Sequence, residues 1–176
     1  MGNLKSLSLF LFLAIVSMLV VDCEVLQPYD ARFVDEICKQ TPYPSDCVQF
    51  LRQDPRSSGA DVKGLALIMV DVIKAKGTNT VNKIKQLLKG STGEKKPLNI
   101  CLDRYKGVVE INVPEAILTL KAGKITIAED MAAATSDEAQ YCEVIFHGKS
   151  PLTIENNGMH VAAEVTRHII RHLLLI

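Results

Sequence analysis

The residues best suited to chemistry form a histidine stripe near the end of the chain. His160, Glu164, His168 and His172 recur at steps of four, so a helix would place them on one face. Histidines at this spacing can bind zinc, and rings that titrate near pH ~6.5 can make an interface sensitive to pH. The alternative is a solvated polar face with ordinary titration. We expect the solvated face and predict neither a metal site nor a cofactor.

Two carboxylate pairs could in principle perform glycoside hydrolysis, which needs two carboxyl groups across a cleft. They are Glu110 with Glu115, and Glu129 with Asp130. A compact helical domain offers no such cleft, and acids on helix surfaces are mostly solvated. The sequence therefore predicts that the protein is not an enzyme.

Lys124 lies in residues 122–127, the least helical stretch between two strongly helical patterns. A glycine and a run of β-branched residues mark this stretch as a junction. A rigid junction that projects a cation can meet the carboxylates of a partner. The alternative is a plain connector whose isoleucines cap the core, and the residues alone do not decide between the two.

The first 23 residues are typical of a signal peptide. Lys5 precedes an uncharged apolar run from Leu7 to Val21, and cleavage after Cys23 fits this pattern. The run is shorter than the roughly 20 residues of a membrane-spanning helix, although a retained anchor is the alternative. We expect secretion and one mature domain, residues 24–176, that is large enough to bury its own core.

The cysteine count agrees with secretion. Of five cysteines, removal of Cys23 leaves Cys38, Cys47, Cys101 and Cys142. Four cysteines permit three connectivities. We favour Cys38–Cys47 and Cys101–Cys142, because the first pair encloses a short loop that two prolines bend. Neither pair has the CxxC spacing of a zinc or redox site.

Composition excludes two further classes of function. The chain carries 20 basic and 20 acidic residues, so there is no basic excess that would favour nucleic acid. It has no tryptophan, and only 5% of its residues are aromatic, which disfavours a stacking platform for carbohydrates or bases.

Hydrophobic periodicity predicts an all-α fold. Two short helices with a proline turn form a disulfide-stapled hairpin at about residues 30–53. Four longer segments follow: residues 59–90, a helix from Pro97 that is kinked or broken at Asn112-Val113-Pro114, residues 128–146, and a last helix from Leu152. Short connections make neighbours antiparallel, so we expect an up-down-up-down four-helix bundle over about residues 59–175.

The cysteine-flanked turn resembles a known family. The pattern Cys-x2-Thr-x-Tyr-Pro-x2-Cys at 38–47 is similar to the opening signature of plant invertase and pectin methylesterase inhibitors. The Cys101-x3-Tyr105 helix that runs into 113–117 and the alanine-rich helix that ends at Cys142 are similar as well. The resemblance covers residues 30–175. It implies a secreted bundle with sequential disulfides that blocks an enzyme rather than being one.

Residues 58–61 and 150–153 look like the cell-wall and vacuolar inhibitors of β-fructosidase (invertase). That branch carries a Pro-Lys-Phe triad before a Glu-Asp pair, and the triad enters the invertase active site. Aligned without gaps on residues 129–130, this chain has Ile-Thr-Ile at 125–127, whereas a two-residue shift gives Gly-Lys-Ile at 123–125. The implied inhibitory contact comprises Gly123, Lys124, Ile125, Thr126, Ile127, Glu129 and Asp130.

Three functions follow, in order of preference. The first is competitive inhibition of acid invertase in a 1:1 complex. The second is inhibition of pectin methylesterase in the cell wall, through the faces of the middle bundle helices. The third is a non-inhibitory protein that binds a small apolar ligand in the bundle core. We expect an extracellular, cell-wall location, with the vacuole as the alternative, and neither nucleic acid nor a membrane as a partner.

Overall fold

The computed structural model describes residues 29–90 and 95–175, and most of this part of the chain is helical. The helices are α1 (Tyr29–Cys38), α2 (Pro44–Arg52), α3 (Val62–Gly90), α4 (Lys95–Gly107), α5 (Val113–Lys121), α6 (Ile125–Val144) and α7 (Thr153–His172). A 3₁₀ turn (Pro55–Ser57) precedes α3, and a π-helical turn (Val108–Asn112), here called the π-turn, joins α4 to α5. The predicted signal peptide and the predicted turn at 91–93 lie outside the described residues.

Four helical rods form the bundle: α3, α4 with α5, α6, and α7. Each rod packs against the next, and α7 closes the ring against α3. Arg171 near the end of α7 binds Glu129 near the start of α6, whereas Thr153 at the start of α7 donates a hydrogen bond to Glu143 near the end of α6. The last two helices are therefore antiparallel. The predicted all-α four-helix bundle is confirmed.

The N-terminal hairpin is α1 and α2, and it packs on α3 and α7. Pro44 is the first residue of α2, a position at which a helix loses no hydrogen bond to proline. The Thr41 hydroxyl donates to the carbonyl of Cys38 at 2.8 Å and satisfies the end of α1. The Cys38–Cys47 disulfide closes the hairpin, and both cysteines are fully buried.

The predicted interruption near Pro114 takes the form of a π-helical turn, not of a gap between two helices. The Val113 N–H donates to the carbonyl of Val108, five residues back, so the helix continues through the π-turn. Proline clashes with the carbonyl four residues before it in an α-helix, and a wider turn relieves that clash. The result is one continuous rod over residues 95–121.

Gly77 allows α3 to approach the π-turn closely. It is buried, and a Cβ atom built on it would lie 2.8 Å from the Cγ2 atom of Val109. The same Cβ would lie 3.5 Å from Cε of Met159 on α7. The glycine that appears in the sequence as a weak point of a long helix is therefore a packing site.

We expect Gly77→Ala to lower the free energy of unfolding by about 1 kcal/mol or more, because overpacking exceeds the gain in helix propensity. Gly107→Ala is the matched control, since no atom lies within 4 Å of its Cβ position. It should raise stability by about 0.5–1 kcal/mol. Urea unfolding measures both, and a gain in both variants would contradict the close approach.

The second disulfide, Cys101–Cys142, joins α4 to α6 across 41 residues of sequence, whereas Cys38–Cys47 spans nine. In the chain-entropy description, a cross-link stabilises more when it closes a longer loop. We expect Cys101→Ala/Cys142→Ala to lower the free energy of unfolding by about 4 kcal/mol and Cys38→Ala/Cys47→Ala by about 2.7 kcal/mol. Equilibrium unfolding in urea checks the order, and the reverse order would contradict loop closure as the cause.

Candidate functional site

The α5–α6 junction is a rigid helix cap. Gly123 has a φ of 71°, a left-handed conformation that glycine adopts without strain. The N–H of Lys124 donates to the carbonyl of Thr119 at 2.8 Å, and the N–H of Gly123 donates to the carbonyl of Leu120 at 3.2 Å. This pair of bonds is a Schellman motif, which ends α5 and fixes the direction of the chain. Lys124 is consequently held at the tip of the junction, exposed to solvent.

Helix α6 starts three residues earlier than the sequence indicates. The predicted junction covered 122–127, but Ile125, Thr126 and Ile127 form the first turn of α6, and Lys124 is its N-cap. Ile125 is half-buried against the core, which outweighs the weak helix propensity of β-branched residues. Thr126 is exposed and Ile127 is 40% exposed. The junction is therefore shorter than predicted, and it keeps Lys124 outside.

The backbone at the junction can be compared with the two alignments of the Pro-Lys-Phe triad. A two-residue shift would place its proline at Gly123, where φ is 71°, and proline cannot adopt a positive φ. The ungapped alignment places it at Ile125, the first residue of α6, where proline is favoured. This backbone therefore suits the ungapped alignment, which pairs the triad's lysine with Thr126, and Lys124 presents its charge two residues earlier.

Glu129 and Asp130 are adjacent but have different surroundings. Glu129 is half-buried and accepts hydrogen bonds from Arg171 on α7, with Nε at 2.9 Å, and from Nε of Arg167 at 3.4 Å. Partial burial raises the pKa of Glu129, but the hydrogen bonds and charges of Arg171 and then Arg167 outweigh it, and the pKa lies below its ordinary value. Asp130 is exposed. Glu129 thus joins α6 to α7, whereas Asp130 faces solvent.

The structure divides the predicted contact residues into two groups. Those that a partner can reach are Gly123, Lys124, Thr126, Ile127 and Asp130. The other two, Ile125 and Glu129, pack against the bundle and hold the first group in place. The accessible part of the site therefore consists of the Lys124 ammonium and the exposed Ile127 side chain beside it. Hydrogen bonds hold the backbone that carries them in one conformation.

The histidine stripe is not the solvated face that the sequence suggested. His160 Nδ1 lies 2.7 Å from the Ser136 hydroxyl and 3.0 Å from the Gln140 amide of α6, and its Nε2 lies 3.2 Å from the Tyr43 hydroxyl of the hairpin. His160 therefore connects the hairpin, α6 and α7.

The remaining histidines lie nearer the end of α7. His168 Nδ1 is 2.8 Å from the carbonyl of Glu164, and Nδ1 of His172 is buried without a hydrogen-bond partner. Within residues 29–90 and 95–175, no group of three histidine, cysteine or acidic side chains is placed to hold a metal. The four-residue spacing in the sequence predicted that the histidines share one face of a helix. It could not show which residues of α6 and the hairpin cover that face.

Sequence reasoning also missed a buried polar network at the opposite end of α7 from Arg171. The Tyr105 hydroxyl donates to Asn156 at 2.8 Å, and the Asn156 amide donates to Glu143 at 2.8 Å. Burial, with smaller contributions from the charges of Glu155 and Glu143, raises the pKa of Tyr105 well above its ordinary range. Tyr105 is therefore a structural residue of the core that satisfies its hydroxyl group.

The space between α3, α5, α6 and α7 is tightly packed. The cavity between α3, α5, α6 and α7, lined by residues that include Val70, Val113 and Thr166, measures about 10 Å³. A single water molecule needs at least about that volume. Across the described ranges, no helix combines the length and apolarity required to cross a membrane.

Comparison with known proteins identifies the family. The family model of plant invertase/pectin methylesterase inhibitors matches residues 32–173, and the chain belongs to this family. Its members inhibit enzymes and are not themselves enzymes, in agreement with the sequence prediction.

Two relatives and one solved structure illustrate the range of the family. Cell wall / vacuolar inhibitor of fructosidase 1 from Arabidopsis thaliana is 39% identical over 80% of this chain and 68% of its own length. A pectinesterase inhibitor from Actinidia deliciosa is 31% identical over 66% of this chain and 64% of its own length. The crystal structure of a mutant form of an Arabidopsis pectin methylesterase inhibitor superimposes on this chain with a TM-score of 0.67 at 23% sequence identity. The superposition covers 77% of this chain and 93% of that structure, and it supports the fold.

We expect Glu129→Gln to remove the ion pair to Arg171 while keeping the side-chain shape. Because the folded-state pKa lies below the ordinary 4.5, the pair stabilises the fold above that pH and its contribution is lost as pH falls through the folded-state pKa. The variant should lose about 1–2 kcal/mol at pH ~6, and the difference from wild type should narrow in acid.

Asp130→Asn is the matched control, because it removes the neighbouring, exposed carboxylate. It should change the free energy of unfolding by less than about 0.5 kcal/mol at any pH. Urea unfolding at several pH values checks both variants. A deficit in Glu129→Gln that is independent of pH would contradict the ion pair as its cause.

Proposed function

We propose that the protein inhibits acid invertase by occupying its active-site cleft in a 1:1 complex, with Lys124 facing the catalytic carboxylates. The observation that carries the proposal is the position of Lys124, an exposed cation at the tip of a hydrogen-bonded Schellman cap. The relative at 39% identity, whose name describes inhibition of a fructosidase, supports the choice of target.

The physical basis is charge complementarity on a preorganised backbone. Retaining and inverting glycosidases both hold two carboxyl groups beside the scissile bond. In the transition state of glycoside hydrolysis, the sugar carries a positive charge that these carboxyl groups face. A lysine ammonium in the cleft would offer them a positive charge in place of the sugar. Since the backbone of residues 119–124 is already fixed, binding loses little conformational entropy there. Ile127, 40% exposed in the first turn of α6, adds apolar contact beside the lysine.

Pectin methylesterase is the second candidate target. Two observations favour it: the relative at 31% identity is a pectinesterase inhibitor, and residues 125–127 depart from the Pro-Lys-Phe triad of the invertase branch. In that case, the contact would use the faces of the middle bundle helices, and Lys124 would contribute little.

The proposed location is the cell wall, with the vacuole as the alternative. Support comes from the signal-peptide pattern of residues 1–23 and from the relative described as a cell wall / vacuolar inhibitor. Both compartments are acidic, so an assay at about pH 5 matches the proposed setting.

The direct test measures inhibition of purified acid invertase and of purified pectin methylesterase by the oxidised mature chain at about pH 5. Inhibition of invertase that sucrose relieves competitively is the expected result. Inhibition of the esterase alone would replace the first candidate by the second. Inhibition of neither would reject both targets.

Lys124→Glu tests the role of the cation. Reversing one charge that faces carboxylates should raise the inhibition constant for invertase by about tenfold or more, which corresponds to about 1.4 kcal/mol. Lys149→Glu is the matched control, because Lys149 is an exposed lysine in the α6–α7 loop at the opposite end of the bundle. It should change inhibition by less than about twofold. Equal effects of the two variants would exclude a specific contact at the junction.

A further inference from the structure

Two large aliphatic side chains lie exposed on one face of the α4–α5 rod. Ile111, in the π-turn, is 64% exposed, and Leu118, in α5, is 62% exposed. They are seven residues apart, about two helical turns, so they lie one above the other with a rise of about 10 Å between them. Pro114 lies between them and is also exposed. We refer to Ile111, Pro114 and Leu118 as the apolar stripe.

The π-turn places this stripe outside the core. Buried positions on the rod are three or four residues apart up to Val108, and then step by five to Val113. The inserted residue shifts every later core position by one, so Ala116 and Leu120 point inward and Leu118 points outward. π-Helical turns inside α-helices occur frequently at functional sites, and here the consequence is an exposed apolar face.

The apolar stripe leads to the junction that carries Lys124. Ala122, four residues beyond Leu118 on the same face, is exposed, and Lys124 follows two residues later. Lys121 is exposed at the flank of this line. The apolar stripe therefore runs toward the end of α5, where two exposed cations, Lys121 and Lys124, lie.

A stable protein interface is larger than the exposed surface of the junction, so a partner must contact more than the junction. A stable complex buries about 800 Å² on each protein, from about 20–30 residues. The few exposed residues at 121–127 are too few to supply that area. Val144 and Ile154 are strongly exposed as well, but they lie at the opposite end of the bundle, and Leu174 and Leu175 lie beyond the last turn of α7. The apolar stripe, by contrast, lies on the rod that ends at the junction, and it extends the apolar surface that Ile127 offers beside Lys124.

We propose that the apolar stripe packs against the rim of the target enzyme's cleft while Lys124 faces the carboxylates inside it. This inference rests on the proposed function and adds a second contact region to it. The partner that fits is an enzyme with acidic groups inside its cleft and an apolar patch at the rim. In such a contact, the cations orient the approach and the buried aliphatic side chains slow dissociation.

Ile111→Gln/Leu118→Gln tests the apolar stripe. Glutamine is a good helix former without charge, so the double variant removes apolar area and leaves the electrostatics unchanged. In the oxidised mature chain, we expect the inhibition constant for acid invertase to rise about tenfold or more. The increase should come from faster dissociation, measured by surface plasmon resonance, with the association rate nearly unchanged.

Ile154→Gln is the matched control, because it removes an isoleucine that is 81% exposed at the other end of the bundle. It should change inhibition by less than about twofold. Thermal unfolding should be close to wild type for both variants, because the replaced side chains lie outside the core.

The outcomes separate the inference from the proposed function. If the wild-type chain inhibits invertase and the double variant inhibits it equally well, the stripe is not a contact, and the proposed function stands. Equal losses in the double variant and in Ile154→Gln would also overturn the stripe, because the effect would lack position dependence. If the wild-type chain does not inhibit invertase, the proposed function fails, and this inference fails with it.

Discussion

A proline inside a bundle helix is the constraint on which much of this structure depends. Pro114 donates no hydrogen bond, yet the rod that contains it must continue in order to cover the core. The π-turn before it resolves the conflict, and the extra residue resets the register of all later core positions. Gly77 on α3 provides the room that the wider turn needs. The exposed face of α5 follows from this adjustment.

Three sets of polar contacts fix the register of α7 against α6 along their whole length. They are Glu129 with Arg171 at one end, Ser136 with His160 in the middle, and Glu143 with Asn156 at the other end. Apolar packing between alanine-rich surfaces tolerates sliding, whereas partly buried hydrogen bonds have defined partners. Since the junction precedes α6 directly, the same contacts hold it in place relative to the rest of the bundle. The exposed lysine is therefore carried by a rigid body.

Periodicity and the cysteines were sufficient to predict the helices, their antiparallel order and the hairpin, because these depend on local pattern and chain connectivity. The first turn of α6 was missed because β-branched residues at 125–127 have weak helix propensity, and tertiary burial of Ile125 outweighs it. Pro114 indicated an interruption of the helix, but its form, a π-turn with one extra residue that packs against Gly77 of α3, was not predicted. The surroundings of His160 were missed because Ser136 and Tyr43 are distant in sequence, so only the fold brings them together.

The φ angle of Gly123 bears on how this chain differs from the invertase branch that it resembles. A proline cannot adopt the φ angle of Gly123, so this backbone suits the ungapped alignment, which pairs the triad's lysine with Thr126. In that alignment, the positive charge of this chain lies at the N-cap, two residues before the position of the triad's lysine. A lysine side chain has four rotatable bonds and can reach the same partner group from either place, but the neighbouring contacts then differ. Selectivity among target enzymes should therefore depend on what surrounds the cation, which includes the face of α5 that the π-turn exposes.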